Sequence, residues 1–300
     1  IVYTSHKEEV YLPIIREFES RTGIWVDVHA GGTAEMMQAA RDASKDGQCD
    51  IMFGGGVESY EASKDYFLPY QVAEETSLDA NFIDQDYYWT PFTELPIVFV
   101  YNRNLVNPSS APRGWHDLFQ EDWKGKIAFA DMEKSGTSYT IISTMAQLFD
   151  EEPEDVLDRF YKQLDGNILS SSGDVITEVS NGNCLIGITL EETALKSIDA
   201  GSNIVMVIPN DGTSAVPDGI AMLRNAPHSY NAGKFIDFVV GHDTQSYAMT
   251  QFNRRSVRLD VKLTSKFGEL TLIDFDIAKS AEDEEKVLEK WRSLMEGDDE

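Results

Sequence analysis

Apolar residues along the chain alternate between short runs and helical spacing. Ile1–Thr4 is a brief apolar run, and Lys7–Arg21 then sets Val10, Ile14 and Phe18 four residues apart, which predicts one buried helix face. Ser5 and Glu8 have the spacing of a capping box at its start, and Gly23 marks its end. Ile24–Val28 predicts a strand, Thr33–Lys45 a helix stopped at Gly47, and Asp50–Phe53 a strand. This βαβαβ order is the opening of a doubly wound, mainly parallel sheet. Glu58–Lys64 reads as a short helix, and Glu94–Tyr101 is the next strong apolar run.

A second α/β unit follows the Asn-, Pro- and Ser-rich stretch Asn102–Pro112. It comprises a strand at Lys126–Ala130, helices near Tyr139–Leu148 and Pro153–Gln163, and a helix ending at Gly182. A strand at Cys184–Thr189, a helix at Glu191–Ala200 and a strand at Asn203–Ile208 complete it. Asp218–Leu223 reads as a strand returning to the first unit, with a helix at Tyr230–Val240 behind it. Ala281–Glu296 predicts an amphipathic helix that turns Val287, Leu288, Trp291, Leu294 and Met295 inward, with Ser280 and Asp283 at its start. The last four residues, Gly297-Asp298-Asp299-Glu300, read as a frayed, solvated end. Residues 1–101 with 216–265 are expected to form one lobe, and 102–215 with 266–300 the other.

Three of the early strands run into small polar or glycine loops: Thr4-Ser5-His6, Ala30-Gly31-Gly32-Thr33 and Gly54-Gly55-Gly56. In an open α/β sheet such loops lie at the carboxyl ends of the strands, where ligands bind. The helix after each loop turns its free N–H groups and positive dipole end to that place, a setting for an anion.

Composition narrows the partners. Asp and Glu number 52 against 25 Lys and Arg, a net charge of −27, which repels nucleic acid and anionic membrane surfaces. No run has the length of a membrane span. The chain opens on a strand with no signal segment and is read as a mature or trimmed form. Cys49 and Cys184 sit beside strand-like runs and read as two buried free thiols. No phosphate-binding Gly-x-x-x-x-Gly-Lys-Ser/Thr loop, nucleophile elbow or metal-ligand cluster is present, so the sequence gives a phosphate-ester enzyme little support.

The motifs Val2–Glu8, Phe18–Gly23, Gly31-Gly32-Thr33 and Asp50–Gly56 resemble the ferric-type extracellular solute-binding proteins of bacterial ABC importers. The resemblance continues through Trp115–Phe119, Trp123–Ile127, Lys134–Thr140, Gly187-Ile188-Thr189 and Gly212–Asp218. It implies the two-lobed periplasmic-binding-protein fold of type II, with a ligand cleft between the lobes that closes about a hinge. It also implies a non-catalytic, monomeric protein outside the cytoplasm, periplasmic or anchored to the outer face of the membrane, with a membrane permease as partner. No cofactor is implied. Ferric-binding members carry adjacent tyrosines after the strand matching Cys184–Thr189, where this chain reads Leu190-Glu191-Glu192-Thr193. Gly54–Gly56 and Lys134–Ser138 look more like relatives that bind hexose phosphates or aminoethylphosphonate.

The expected pocket takes donors from Ser5, His6, Gly32, Thr33, Gly55 and Gly56 in the first lobe. The second lobe offers Ser135, Gly136, Thr137 and Ser138, a hydroxyl-bearing loop opening a helix, and Ser171 and Ser172 before another. Each of these also reads as an ordinary helix cap or turn. Glu191 and Glu192 are acceptors for sugar hydroxyls or an amine, and equally the acidic first turn of a helix. Asp218 is a further acceptor candidate. A small phosphorylated organic solute fits this mixture. Ferric iron held by carboxylates and a bound anion, with Tyr3 and Tyr139 contributing, stands as the alternative.

Overall fold

The computed structural model describes residues 1–297, so of the expected frayed end Asp298, Asp299 and Glu300 lie outside the described residues. The chain first lays down β1 (Val2–Thr4), α1 (Glu8–Thr22), β2 (Val28–Ala30), α2 (Thr33–Asp46), β3 (Ile51–Gly56), α3 (Val57–Glu61), β4 (Phe67–Leu68) and β5 (Thr90–Glu94). It continues with β6 (Ile97–Asn102), β7 (Ile127–Ala130), α4 (Gly136–Phe149), α5 (Pro153–Leu164), β8 (Ile168–Leu169), α6 (Val175–Asn181), β9 (Ile186–Leu190), α7 (Glu191–Asp199) and β10 (Ile204–Val207). Then come β11 (Asp218–Leu223), α8 (Ser229–Val239), α9 (His242–Phe252), β12 (Arg255–Ser256) and α10 (Ile277–Gly297). Two compact units result: Ile1–Glu94 with Val216–Thr264, and Leu95–Ala215 with Ser265–Glu300.

The first unit holds a seven-stranded sheet in the order β12-β5-β11-β3-β1-β2, with β4 also paired to β11. β1 runs parallel to β2 and to β3, as the βαβαβ pattern requires. Gly23 and Gly47 end α1 and α2 in the left-handed region, and their N–H groups donate to Glu19 and Ala43. β11 pairs antiparallel with β3 and β5. Phe18, Phe53, Phe92 and Phe235 meet edge-to-face beneath it.

The second unit holds a five-stranded sheet in the order β10-β6-β9-β7-β8. β7 is parallel to β8 and β9, while β6 is antiparallel to β9 and β10. Both sheets are therefore mixed rather than mainly parallel, because β6 and β11 join them without a βαβ crossover to set their direction. Trp291 of α10 is fully buried against Phe129 and Tyr161, and its indole N–H donates to Asp131 at 2.9 Å.

Several local expectations shift. Ser5 and Glu8 form no capping box, because α1 starts at Glu8 behind Lys7, which makes no side-chain cap. β2 lies at Val28–Ala30, not Ile24–Val28. Gly54–Gly56 are the end of β3 and not a loop, since β11 pairs with Phe53 and, past an irregularity in the register, with Gly56. The run Leu95–Tyr101, expected with the first lobe, belongs to the second unit, where β6 finds both its neighbours. α10 starts at Ile277, so Ser280 lies inside it. Helix α9 and the short strands β4, β5, β8 and β12 carry too little periodicity to be read from sequence.

Candidate functional site

In the first unit the carboxyl ends of β1, β2 and β3 lie side by side, and parallel pairing brings their following residues together. Gly54 has φ +100 and Gly55 φ +89, a region that L side chains avoid. A Cβ on Gly54 would stand 2.9 Å from Ser5 Oγ and 3.0 Å from His6 Nε2. One on Gly55 would stand 2.6 Å from Thr33 Cγ2 and 3.7 Å from Ser5 Oγ. The missing side chains are what let Ser5, His6 and Thr33 close over the strand end. Gly32 caps α2 with open space around it. Gly56 lies under the carboxylate of Glu58, the buried acid of α3.

His6 is the most constrained of these groups. Its ring meets Phe53 at 4.4 Å and Phe92 at 5.5 Å, both edge-to-face. The side chain is 5% exposed, and Nε2 is buried without a hydrogen bond among the described residues. Burial pushes the imidazole pKa down to about 4, against the pull of Asp218 at 3.4 Å and with the push of Arg254. Leaving such a group unpartnered costs about 1–3 kcal/mol. Ser5 is half-buried and Thr33 is exposed.

Asp218, expected as a ligand acceptor, is already bonded within the first unit on both oxygens. Oδ1 accepts from the Thr93 N–H at 2.9 Å and hydroxyl at 2.6 Å, and Oδ2 is bonded to the buried guanidinium of Arg254. Thr93 and Arg254 carry no motif, and only the pairing of β5, β11 and β12 brings them here. The Tyr60 hydroxyl lies 2.8 Å from the Gly54 carbonyl and 2.9 Å from that of Gly219, tying β3 to β11 at the same point. Burial, with Asp218 nearby, holds that phenol well above the usual tyrosine range.

The second unit repeats the arrangement. β8, β7 and β9 run parallel, so Ser170–Asp174, Asp131–Ser138 and Glu191–Glu192 follow the same end of one sheet. Ser135 caps α4 by accepting from the Ser138 N–H at 3.3 Å, and Ser171 accepts from Gly173 at 3.1 Å. These two hydroxyls are occupied as caps, whereas Gly136, Thr137 and Ser172 remain partly or fully exposed. Glu191 is buried at the start of α7, its N–H donating to Pro96, and Glu192 accepts from the Thr193 hydroxyl. Tyr139 is not a free phenol: it is buried and donates to the Ser280 carbonyl. Tyr3 packs on His29 at 5.2 Å. Among the described residues no three His, Cys, Asp or Glu side chains group to hold a metal ion. Cys49 and Cys184 are free and buried.

Residues 50–280 match the family described as bacterial extracellular solute-binding protein. An uncharacterised protein of Haemophilus influenzae is 29% identical over 193 residues, 60% of this chain and 54% of that protein, so the match spans about half of its length. A probable ABC transporter periplasmic-binding protein of Sinorhizobium fredii is 25% identical over 84% of this chain and 68% of its own. Among solved structures, the periplasmic binding protein AfuA of Actinobacillus pleuropneumoniae, with fructose-6-phosphate bound, superposes with a TM-score of 0.85. It is 21% identical, and 98% of each chain is covered. The ferric binding protein of Campylobacter jejuni gives 0.87 at 19% identity with the same coverage. At these identities the two structures establish the fold, that of type II periplasmic binding proteins.

Proposed function

The chain belongs to the bacterial extracellular solute-binding proteins, and from that premise we propose that it captures a small phosphorylated organic solute, a sugar phosphate or phosphonate, for an ABC importer. The observation that carries this reading is the cradle of Ser5, His6 and Thr33 over Gly54 and Gly55. His6 Nε2 makes no hydrogen bond among the described residues, and the three side chains gather where three strands end. Hydroxyls, backbone N–H groups and a helix N-terminus are the donors that a phosphate group requires from several directions. Gly136, Thr137 and Ser172 of the second unit add donors of the same kind, and Glu191 and Glu192 add acceptors for hydroxyl or amine groups on the solute. In this reading the two units close on the ligand about a hinge, and small-angle scattering would register a smaller radius of gyration once ligand is added.

Relatives named for ferric ion lie as near in fold as those named for a phosphorylated ligand. The residues favour the phosphorylated solute, because Glu191-Glu192 stand where ferric-binding members carry tyrosines and Tyr139 is engaged with Ser280. The test is isothermal titration with fructose 6-phosphate, 2-aminoethylphosphonate and ferric citrate. Charge-assisted hydrogen bonds contribute about 1.5–3 kcal/mol each, so several of them support a micromolar or tighter complex with a phosphorylated probe. Binding of ferric ion with no response to either organophosphorus compound contradicts the proposal.

A further inference from the structure

His6 has chemistry that donor geometry alone leaves unused. Its ring is enclosed by Phe53 of β3, Phe92 of β5 and the bare face of Gly54, and Nε2, 3.4 Å from Asp218, makes no hydrogen bond among the described residues. The charged groups that act on it are Asp218 of β11 and Arg254 just ahead of β12. These two are bonded to each other, and Asp218 is further held by Thr93. The carboxylate facing the imidazole is therefore already matched by a buried cation. From α3 come the neutral phenol of Tyr60 and, over Gly56, the carboxylate of Glu58. From α2 come the hydroxyl of Thr33 and, over Gly31, the carboxylate of Glu35. Of these carboxylates Asp218 is the one that acts on His6, and Arg254 matches its charge.

We propose that binding an anionic solute draws one proton from solvent onto His6, so that the imidazolium exists only in the complex. Asp218 and Arg254 are then positioning residues, whose charges match each other beside the ring. This inference rests on the reading of the ligand as a phosphorylated anion. An anion within about 4–6 Å favours the charged form of a histidine, and an imidazolium has two N–H donors where the neutral ring has one. One donor faces the Asp218 carboxylate and the other serves a ligand oxygen. The proton is supplied by water or buffer and no other bond is made or broken. Because burial holds the ring neutral down to about pH 4, proton uptake spans the range from there to the higher pKa of the complex. Within that range affinity rises as pH falls, by at most about tenfold per pH unit for one proton.

The experiment is titration calorimetry with fructose 6-phosphate and 2-aminoethylphosphonate, at pH 5.5, 6.5 and 7.5, in buffers of different ionisation enthalpy. Running wild type beside His6→Asn cancels the titration of the ligand's own phosphate, whose second pKa is about 6. The wild type should take up more protons per ligand than His6→Asn, by more than about half a proton at pH 6.5. Its affinity relative to the variant should rise at least about tenfold from pH 7.5 to 5.5. Imidazole resonances of the wild type give a second reading that needs no variant. One of the 5 histidines should stay neutral at pH 5.5 in the free protein and be protonated in the complex. Equal proton counts in the two proteins, or no histidine changing state on binding, overturns the inference while leaving the proposed function standing. Failure of both organophosphorus probes to bind removes both.

Discussion

His6 also has a consequence for the unliganded protein. A histidine with a folded pKa near 4 and an unfolded value near 6.5 binds fewer protons when folded between those limits. Stability therefore falls as pH drops through 6.5, and the loss is complete below about 4. At about 1.4 kcal/mol per pKa unit the loss reaches about 3 kcal/mol. His6→Asn removes it, so chemical unfolding at pH 7.5, 6 and 4.5 should show wild type losing stability relative to the variant on the acid side. A constant difference across that range contradicts a buried neutral imidazole. At this scale the sequence was informative about identities and silent about partners. Ser5, His6 and Thr33 follow strands and were legible as loop chemistry. Asp218 read as a candidate acceptor because nothing along the chain reveals that Arg254 and Thr93 will occupy both its oxygens.

Elements were legible where one physical period dominates. α1 and α2 have an apolar face and a glycine stop, and their ends were found to within a residue or two. β2 was misplaced because Ile24–Val28 carries the apolar residues, while the backbone pairing with β1 falls at Val28–Ala30. Gly54–Gly56 read as a loop from composition. They extend β3 because β11, from a distant part of the chain, pairs again at Gly56. The C-terminal helix α10 shows the strength of a clear face: its Val287 and Trp291 are fully buried, as their spacing requires. Truncating Trp291 to Ala should cost about 3–5 kcal/mol in chemical unfolding, since it empties space beside Phe129 and Tyr161 and leaves Asp131 without its indole donor. A loss below about 1 kcal/mol would mean that α10 is not part of the second unit's core.

The molecule as a whole sets a diffuse negative charge of −27 against neutral donors concentrated at the carboxyl ends of parallel strands. For the proposed anionic ligand, local geometry has to outweigh the long-range field, which opposes it. Salt screens exposed charges over a Debye length of about 8 Å at physiological ionic strength, while the enclosed groups around His6 are screened far less. The alternation of strand and helix, together with the motifs, made the fold class readable. The unit boundary was not readable at Leu95, because an apolar strand suits either sheet and only its neighbours decide. The most direct measurement is a phosphorus NMR titration of fructose 6-phosphate and 2-aminoethylphosphonate with the purified protein. Saturable displacement of a phosphorus resonance at one site per chain is the expected result. Unshifted resonances at equimolar protein, together with tight uptake of ferric ion, would contradict the assignment of a phosphorylated solute.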